Sequence, residues 1–270
     1  LEPHHVDAAR ELVAVEFDPL AAIMLRANFS ALGFTGRLQV LVEDYRETSL
    51  PAIRGRTLFV GNPPYVRHHD ISEPWKAWFA RTAAHYGVKA SKLAGLHVHF
   101  FLKTLQLGRC GDYGVFITSA EWLDVNYGAA LRQLLADGLG GVALHLLDAK
   151  ALPFANTATT GAITCFRIGR RPESLLVRAV ESLDQINGLS NGNPIPWGDV
   201  QKTPRWSALV RPGPKVPTGY VELGELCRVH RGQVTGCNDI WIAGRHAEGL
   251  PSVLLAPAVT KARDILTAGK

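Results

Sequence analysis

A chain of 270 residues with 47% hydrophobic and 20% charged residues is long enough to bury one substantial core and part of a second unit. It has no run of about 18 apolar residues, and Glu2, His4, His5 and Asp7 interrupt its first ten positions. These features predict no membrane span, no secretory leader and a cytoplasmic location. The net charge of +5 is uneven: residues 1–150 hold 15 basic and 15 acidic side chains, leaving 14 basic and 9 acidic for the rest. A neutral first half and a basic second half suit a catalytic unit joined to a surface that meets a polyanion.

Short β-rich runs alternate with helical stretches, the pattern of an α/β protein with a mostly parallel sheet covered by helices on both faces. Leu12 to Val15 reads as a strand, and Pro19 to Leu32 as a helix with Ala22, Leu25 and Phe29 at helical spacing. Strands follow at Leu38–Val42 and Thr57–Val60, then a long helix from about Leu93 to Leu107. Tyr113–Thr118, Val142–Leu147 and Ala162–Ile168 complete six predicted strands.

Ligands of open α/β sheets gather beyond the carboxyl ends of the strands. The first three strands end in Glu16, Asp44 and Asn62, which predicts one site assembled from three strand ends. Glu16 and Asp44 are also ordinary loop or capping acids when taken singly. Asn62-Pro63-Pro64-Tyr65 carries the sharper signal. The Asn62 side chain and the Pro63 backbone each present a carbonyl acceptor, stiffened by two prolines, and Tyr65 presents a π face. Two fixed acceptors beside an aromatic suit a planar amine, and so methyl transfer onto nitrogen. Asn-Pro and Pro-Pro are also common turn chemistry, but the string is rare by composition.

Cys110, Cys165, Cys227 and Cys237 form no Cys-x-x-Cys pair and read as reduced thiols. Cys227, His230 and Cys237 lack a fourth ligand at a convincing spacing, so no metal site is predicted. Six prolines between Pro194 and Pro217 mark a connector over 194–218, separating a unit at 1–193 from another at 219–270. Arg228 to Asn238 mixes basic residues with Gly232 and Gly236, a composition that fits either a surface turn or a loop approaching phosphate. Arg231 is its candidate substrate contact.

These motifs resemble the N6-adenine DNA methyltransferases of restriction-modification systems, in the group whose cofactor region precedes NPPY and whose target recognition comes last. VGNPPYV (Val60 to Val66) is the strongest match. AVEFDP (Ala14 to Pro19), VEDY (Val42 to Tyr45), the stretch from Leu96 to Leu123, ALPFANTATTGAITCFRIG (Ala151 to Gly169) and LGELCRVHRGQVTGCNDIWI (Leu223 to Ile242) are similar to further family segments. The resemblance implies a Rossmann-like class I S-adenosylmethionine-dependent methyltransferase sheet followed by the start of a target-recognition domain. It implies that Glu16 binds the cofactor ribose and Asp44 its adenine. Asn62, Pro63, Pro64 and Tyr65 would form the catalytic loop, and Tyr65 and Phe154 would meet an adenine flipped out of double-stranded DNA.

The family's glycine-containing cofactor loop has no match upstream of Glu16, where no Gly-x-Gly occurs and the first glycine is Gly33. A fragment of a longer chain is therefore expected, whose parent could carry a restriction or specificity module. A protein-glutamine or RNA amino-methyltransferase, and an inactive DNA-binding remnant, are the alternative readings.

Overall fold

The structure, a computed structural model, describes residues 11–51, 55–148, 160–186, 188–211, 213, 217–228, 236–244 and 247–256. The chain divides into two compact units, 1–213 and 214–270.

The first unit opens with a β-α-β element. β1 (Glu11–Glu16) and β2 (Arg37–Val42) pair in parallel, Glu11 opposite Arg37 and Glu16 opposite Val42. Between them runs α1 (Pro19–Ala31), started by Asp18, whose Oδ1 accepts the Leu20 and Ala21 amides at 2.8 and 3.4 Å. Pro19 in the first turn gives up no needed donor, because that N–H has no helical acceptor.

A second sheet has the order β3-β4-β6-β5-β7-β8. Its strands are β3 (Leu58–Gly61), β4 (Tyr113–Ser119), β5 (Gly141–Leu147), β6 (Gly161–Arg167), β7 (Ser174–Val180) and β8 (Asn193–Pro196). The expected mostly parallel arrangement is replaced by a mixed one. β3 with β4 and β5 with β7 are parallel, whereas β6 runs antiparallel to both β4 and β5, and β8 antiparallel to β7. β6 hides this in sequence: buried on both faces, it lacks the polar alternation that marks a half-exposed antiparallel strand.

Three longer helices supply the cover: α2 (Glu73–His85), α3 (Leu96–Leu107) and α4 (Ala129–Asp137). α3 starts at Leu96 rather than near Leu93, with Gly95 at its N-cap. Phe101 of α3 meets Phe116 of β4 edge-on at 4.9 Å between centroids, and Phe166 of β6 completes the triangle at 5.8 and 5.6 Å. Full burial of each ring contributes about 3 kcal/mol, and the trio fixes α3 over β4 and β6. A smaller cluster, Leu147, Ile163 and Val180 with Ile186 and Leu189, lies apart from this core.

The proline-rich stretch contains both β8 and α5 (Trp197–Lys202), and it buries Val200 and Trp206 in the main core. In the second unit the described residues form single helical turns at Leu223–Leu226, Asn238–Trp241 and Ser252–Leu254. Among the described residues no helix is long and apolar enough to cross a membrane.

Candidate active site

Parallel strands leave their carboxyl ends free of partners, and the chemistry-bearing residues follow from that. Glu16 closes β1, and its Oε1 accepts the Asp18 amide at 3.0 Å, which orients the carboxylate over the start of α1. Asp44 stands two residues beyond β2, and the Glu43 amide bonds the Glu16 carbonyl at 3.2 Å. The two acids therefore occupy neighbouring strand ends.

Arg46 grips Asp44. Its Nη2 donates to Asp44 Oδ2 at 2.6 Å, its Nε to Oδ1 at 2.9 Å, and its backbone amide also donates to Oδ1 at 2.9 Å. Burial pushes the Asp44 carboxyl up, but the hydrogen bonds and charge of Arg46 outweigh it and hold the group below its ordinary value. The guanidinium lies 3.9 Å from the ring centroid of Trp75 on α2. A carboxylate oxygen has two lone pairs, so this clamp leaves Asp44 acceptor capacity for an incoming amine. The Asp-x-Arg spacing is compatible with an Asx-type turn, but a spacing of two does not by itself show that the guanidinium folds back onto the acid.

Asn62 follows β3 directly. Tyr65 donates its hydroxyl to Asn62 Oδ1 at 2.9 Å, so the two ends of the loop brace each other. Pro63 is buried, Asn62 and Pro64 are exposed, and the Tyr65 ring is half-exposed. Burial raises the Tyr65 phenol, which keeps its proton at neutral pH and lets it act as the donor.

α3 joins the acceptor loop to the acid pair. The Leu96 amide bonds the Val66 carbonyl at 3.0 Å, one residue past NPPY. Further along, Tyr45 stacks on Phe100 at 4.8 Å between centroids and hydrogen-bonds Thr104 at 2.8 Å. At 1.5 Å of rise per residue the two attachments are separated by about 6 to 12 Å along the helix axis. That spacing suits one ligand reaching from an adenine-ribose end to a reactive end.

The same helix buries two imidazoles. His97 lies over Gly95, where a Cβ would stand 3.1 Å from its ring, and burial lowers it to about 4. His99 stacks on Phe79 at 4.4 Å between centroids; burial first, then the charges of Arg46 and His97, lower it to about 3. Both are neutral at physiological pH. Periodicity alone did not single them out, because histidine on an apolar helix face reads as packing.

Phe154 and Arg231 lie outside the described residues. Among the described residues no group of three or more His, Cys, Asp or Glu side chains is placed to hold a metal ion.

Residues 54–139, which include the acceptor loop and α3, match the model of the Eco57I restriction-modification methylase family. Over 259 residues, 96% of this chain, the sequence is 60% identical to the Type II methyltransferase M.XamI of Xanthomonas campestris pv. amaranthicola. The chain spans 49% of that relative's length. The crystal structure of the type IIG restriction endonuclease BpuSI superposes with a TM-score of 0.59 at 15% identity, covering 73% of this chain and 26% of that one. At 15% identity that likeness is one of fold. The family match over residues 54–139 and the 60% identity along this chain make it similar to the restriction-modification methylases.

Proposed function

We propose that this chain forms part of a DNA adenine-N6 methyltransferase that uses S-adenosylmethionine and acts on a base flipped from duplex DNA. The observation that carries this reading is the braced pair at the tip of β3: Tyr65 hydroxyl on Asn62 Oδ1 at 2.9 Å, with the ring half-exposed beside it.

The chain's residues fit the cofactor. Glu16 and Asp44, on adjoining strand ends, match a ribose diol and an adenine amine, two donor-bearing groups that need carboxylate acceptors. S-adenosylmethionine supplies an electrophilic methyl group on a sulfonium sulfur.

The exocyclic amine of adenine is a weak nucleophile because its lone pair is delocalised into the ring. Asn62 Oδ1, through the lone pair that Tyr65 does not use, and the Pro63 carbonyl accept its two N–H groups. Both acceptors draw the nitrogen toward tetrahedral geometry and aim its lone pair at the methyl. Tyr65, joined by Phe154 on the family pattern, replaces the stacking lost when the base leaves the helix. The product's extra proton departs after transfer, so no strong base is required. The basic excess of residues 151–270 supports a DNA substrate over a glutamine side chain.

The test is transfer of radiolabelled methyl from S-adenosylmethionine to duplex DNA, followed by digestion to nucleosides. N6-methyl-2′-deoxyadenosine is the expected product; label on deoxycytidine or only on protein would refute the assignment. Asn62→Ala is expected to abolish transfer while cofactor affinity, read by calorimetry, stays within about threefold.

A further inference from the structure

Asp44 is gripped more completely than a strand-end acid requires. The Arg46 backbone amide and Nε each donate to Oδ1 at 2.9 Å, Nη2 donates to Oδ2 at 2.6 Å, and Nε also lies 3.2 Å from Oδ2. A carboxylate oxygen offers two lone pairs. The two bonds to Oδ1 occupy both of its pairs, Nη2 takes one on Oδ2, and the longer Nε contact is the weaker limb of a fork. One lone pair on Oδ2 stays open, and among the described residues no other donor reaches either oxygen.

The Arg46 side chain has no other acceptor. Its Nη1 is buried without a hydrogen bond, and Nε and Nη2 both go to Asp44. The Trp75 ring of α2 covers the guanidinium at 3.9 Å, and the Glu47 amide donates to the Asp44 carbonyl at 2.8 Å, closing the turn that carries both residues. Stability alone does not call for such a pair. The two side chains are 9% and 18% exposed, and an ion pair so far out of water is often no more stabilising than apolar residues of similar volume.

What the clamp changes is what Asp44 can read. An ionised carboxylate accepts hydrogen bonds and cannot donate, whereas a protonated one can do both. We propose that Arg46 is a positioning residue that sets the base selectivity of the cofactor site. It presents one oriented, anionic lone pair on Asp44 Oδ2, which takes an N–H from a 6-aminopurine and opposes the carbonyl oxygen of a 6-oxopurine. An unclamped carboxylate could swing to the ring N1–H of a 6-oxopurine, and a protonated one could donate to its carbonyl; the fork prevents both. Sites built to pair a polar group reject the mismatched ligand because the buried group is then left unpaired. The inference rests on the reading of Asp44 as the acid that meets the cofactor's adenine.

The experiment is isothermal titration calorimetry on the full-length enzyme with S-adenosylhomocysteine and with S-inosylhomocysteine, which carries a 6-oxo group in place of the amine. The wild type is expected to bind the amino ligand about tenfold or more tightly than the oxo ligand. Arg46→Ala is expected to bring that ratio to within about twofold of unity. Arg46→Lys keeps the charge without the fork and is expected to cut the ratio about threefold; it decides the matter if thermal melting shows that Arg46→Ala does not fold. Equal affinity of the wild type for the two ligands would overturn the proposal and leave the cofactor assignment standing. So would a folded variant that weakens both ligands alike and keeps the wild-type ratio, which is the mark of a merely structural arginine. Failure of the wild type to bind S-adenosylhomocysteine would instead sink the cofactor reading, and a ratio that survives Asp44→Asn would remove Asp44 from the purine edge; the proposal falls with either.

Discussion

Tyr65 bears on the acceptor in two ways that substitutions separate. Its hydroxyl holds Asn62 Oδ1 at 2.9 Å, and its ring is half-exposed. Tyr65→Phe removes the first and keeps the second. A neutral, half-exposed hydrogen bond contributes about 1 kcal/mol, so the Phe variant is expected to lose about fivefold in kcat with unchanged base extrusion. Tyr65→Ala also loses stacking worth about 1 to 3 kcal/mol, and is expected to weaken extrusion, read by 2-aminopurine fluorescence at the target position. A Phe variant with full kcat would show that the brace does not position Asn62. The loop was legible in sequence because its four letters are improbable together. The brace was not, because spacing in a sequence does not show where a phenol hydroxyl points. Arg46 is a similar case: Asp44 drew notice as a strand-end acid, yet its charge state is set by a guanidinium two residues on.

The alternation of β-rich and helical runs announced β1 through β6 and the helices after β1 and before β4. It did not announce strand order, because β6 enters between β4 and β5 and nothing local in the sequence specifies its neighbours. Gly114 marks that insertion. It stands directly opposite Phe166 in the β4–β6 register, and a Cβ there would run into the Phe166 ring. Phe166 cannot retreat, held as it is against Phe101 and Phe116. Gly114→Ala is therefore expected to cost about 1 to 3 kcal/mol and to lower the melting temperature by about 3 to 10 °C. An unchanged melt would mean that the aromatic trio has room to shift. The join between the end of β2 and α2 rests on Arg46, whose side chain is 9% exposed against 18% for Asp44. Arg46→Ala leaves a mostly buried carboxylate unpaired, at a cost of about 3 kcal/mol at pH 7. With only burial acting, the Asp44 carboxyl rises, so part of the loss is expected to return near pH 4 in urea titrations, where the group protonates.

The acceptor loop and the acid pair belong to different sheets, and α3 is what they share, so the stability of that helix governs whether the site exists as a unit. His97 and His99 make that stability depend on pH. Both are buried on α3, and burial lowers them to about 4 and about 3. In the unfolded chain each returns to about 6.5. Between that value and the folded one, the unfolded state binds more protons than the native state, so acid favours unfolding. The contribution of each neutral imidazole is complete above about pH 6.5 and is lost as pH falls toward 4, at about 1.4 kcal/mol per pH unit per histidine. Asp44, being depressed, makes its own contribution vanish only below the ordinary carboxylate range, so it does not confound the window from 6.5 to 4. Chemical denaturation at half-unit pH steps is therefore expected to show a slope to which His97 and His99 contribute about two protons in that window, beside that of His145, which burial also holds below its ordinary value. His97→Leu and His99→Leu are each expected to reduce it by about one proton. An unaltered slope would mean that neither imidazole is held neutral by the fold. Because Leu96 anchors Val66 while Phe100 and Thr104 anchor Tyr45, acid loosening of α3 is expected to release both halves of the site together. Cofactor affinity and base extrusion would then fall over the same pH range.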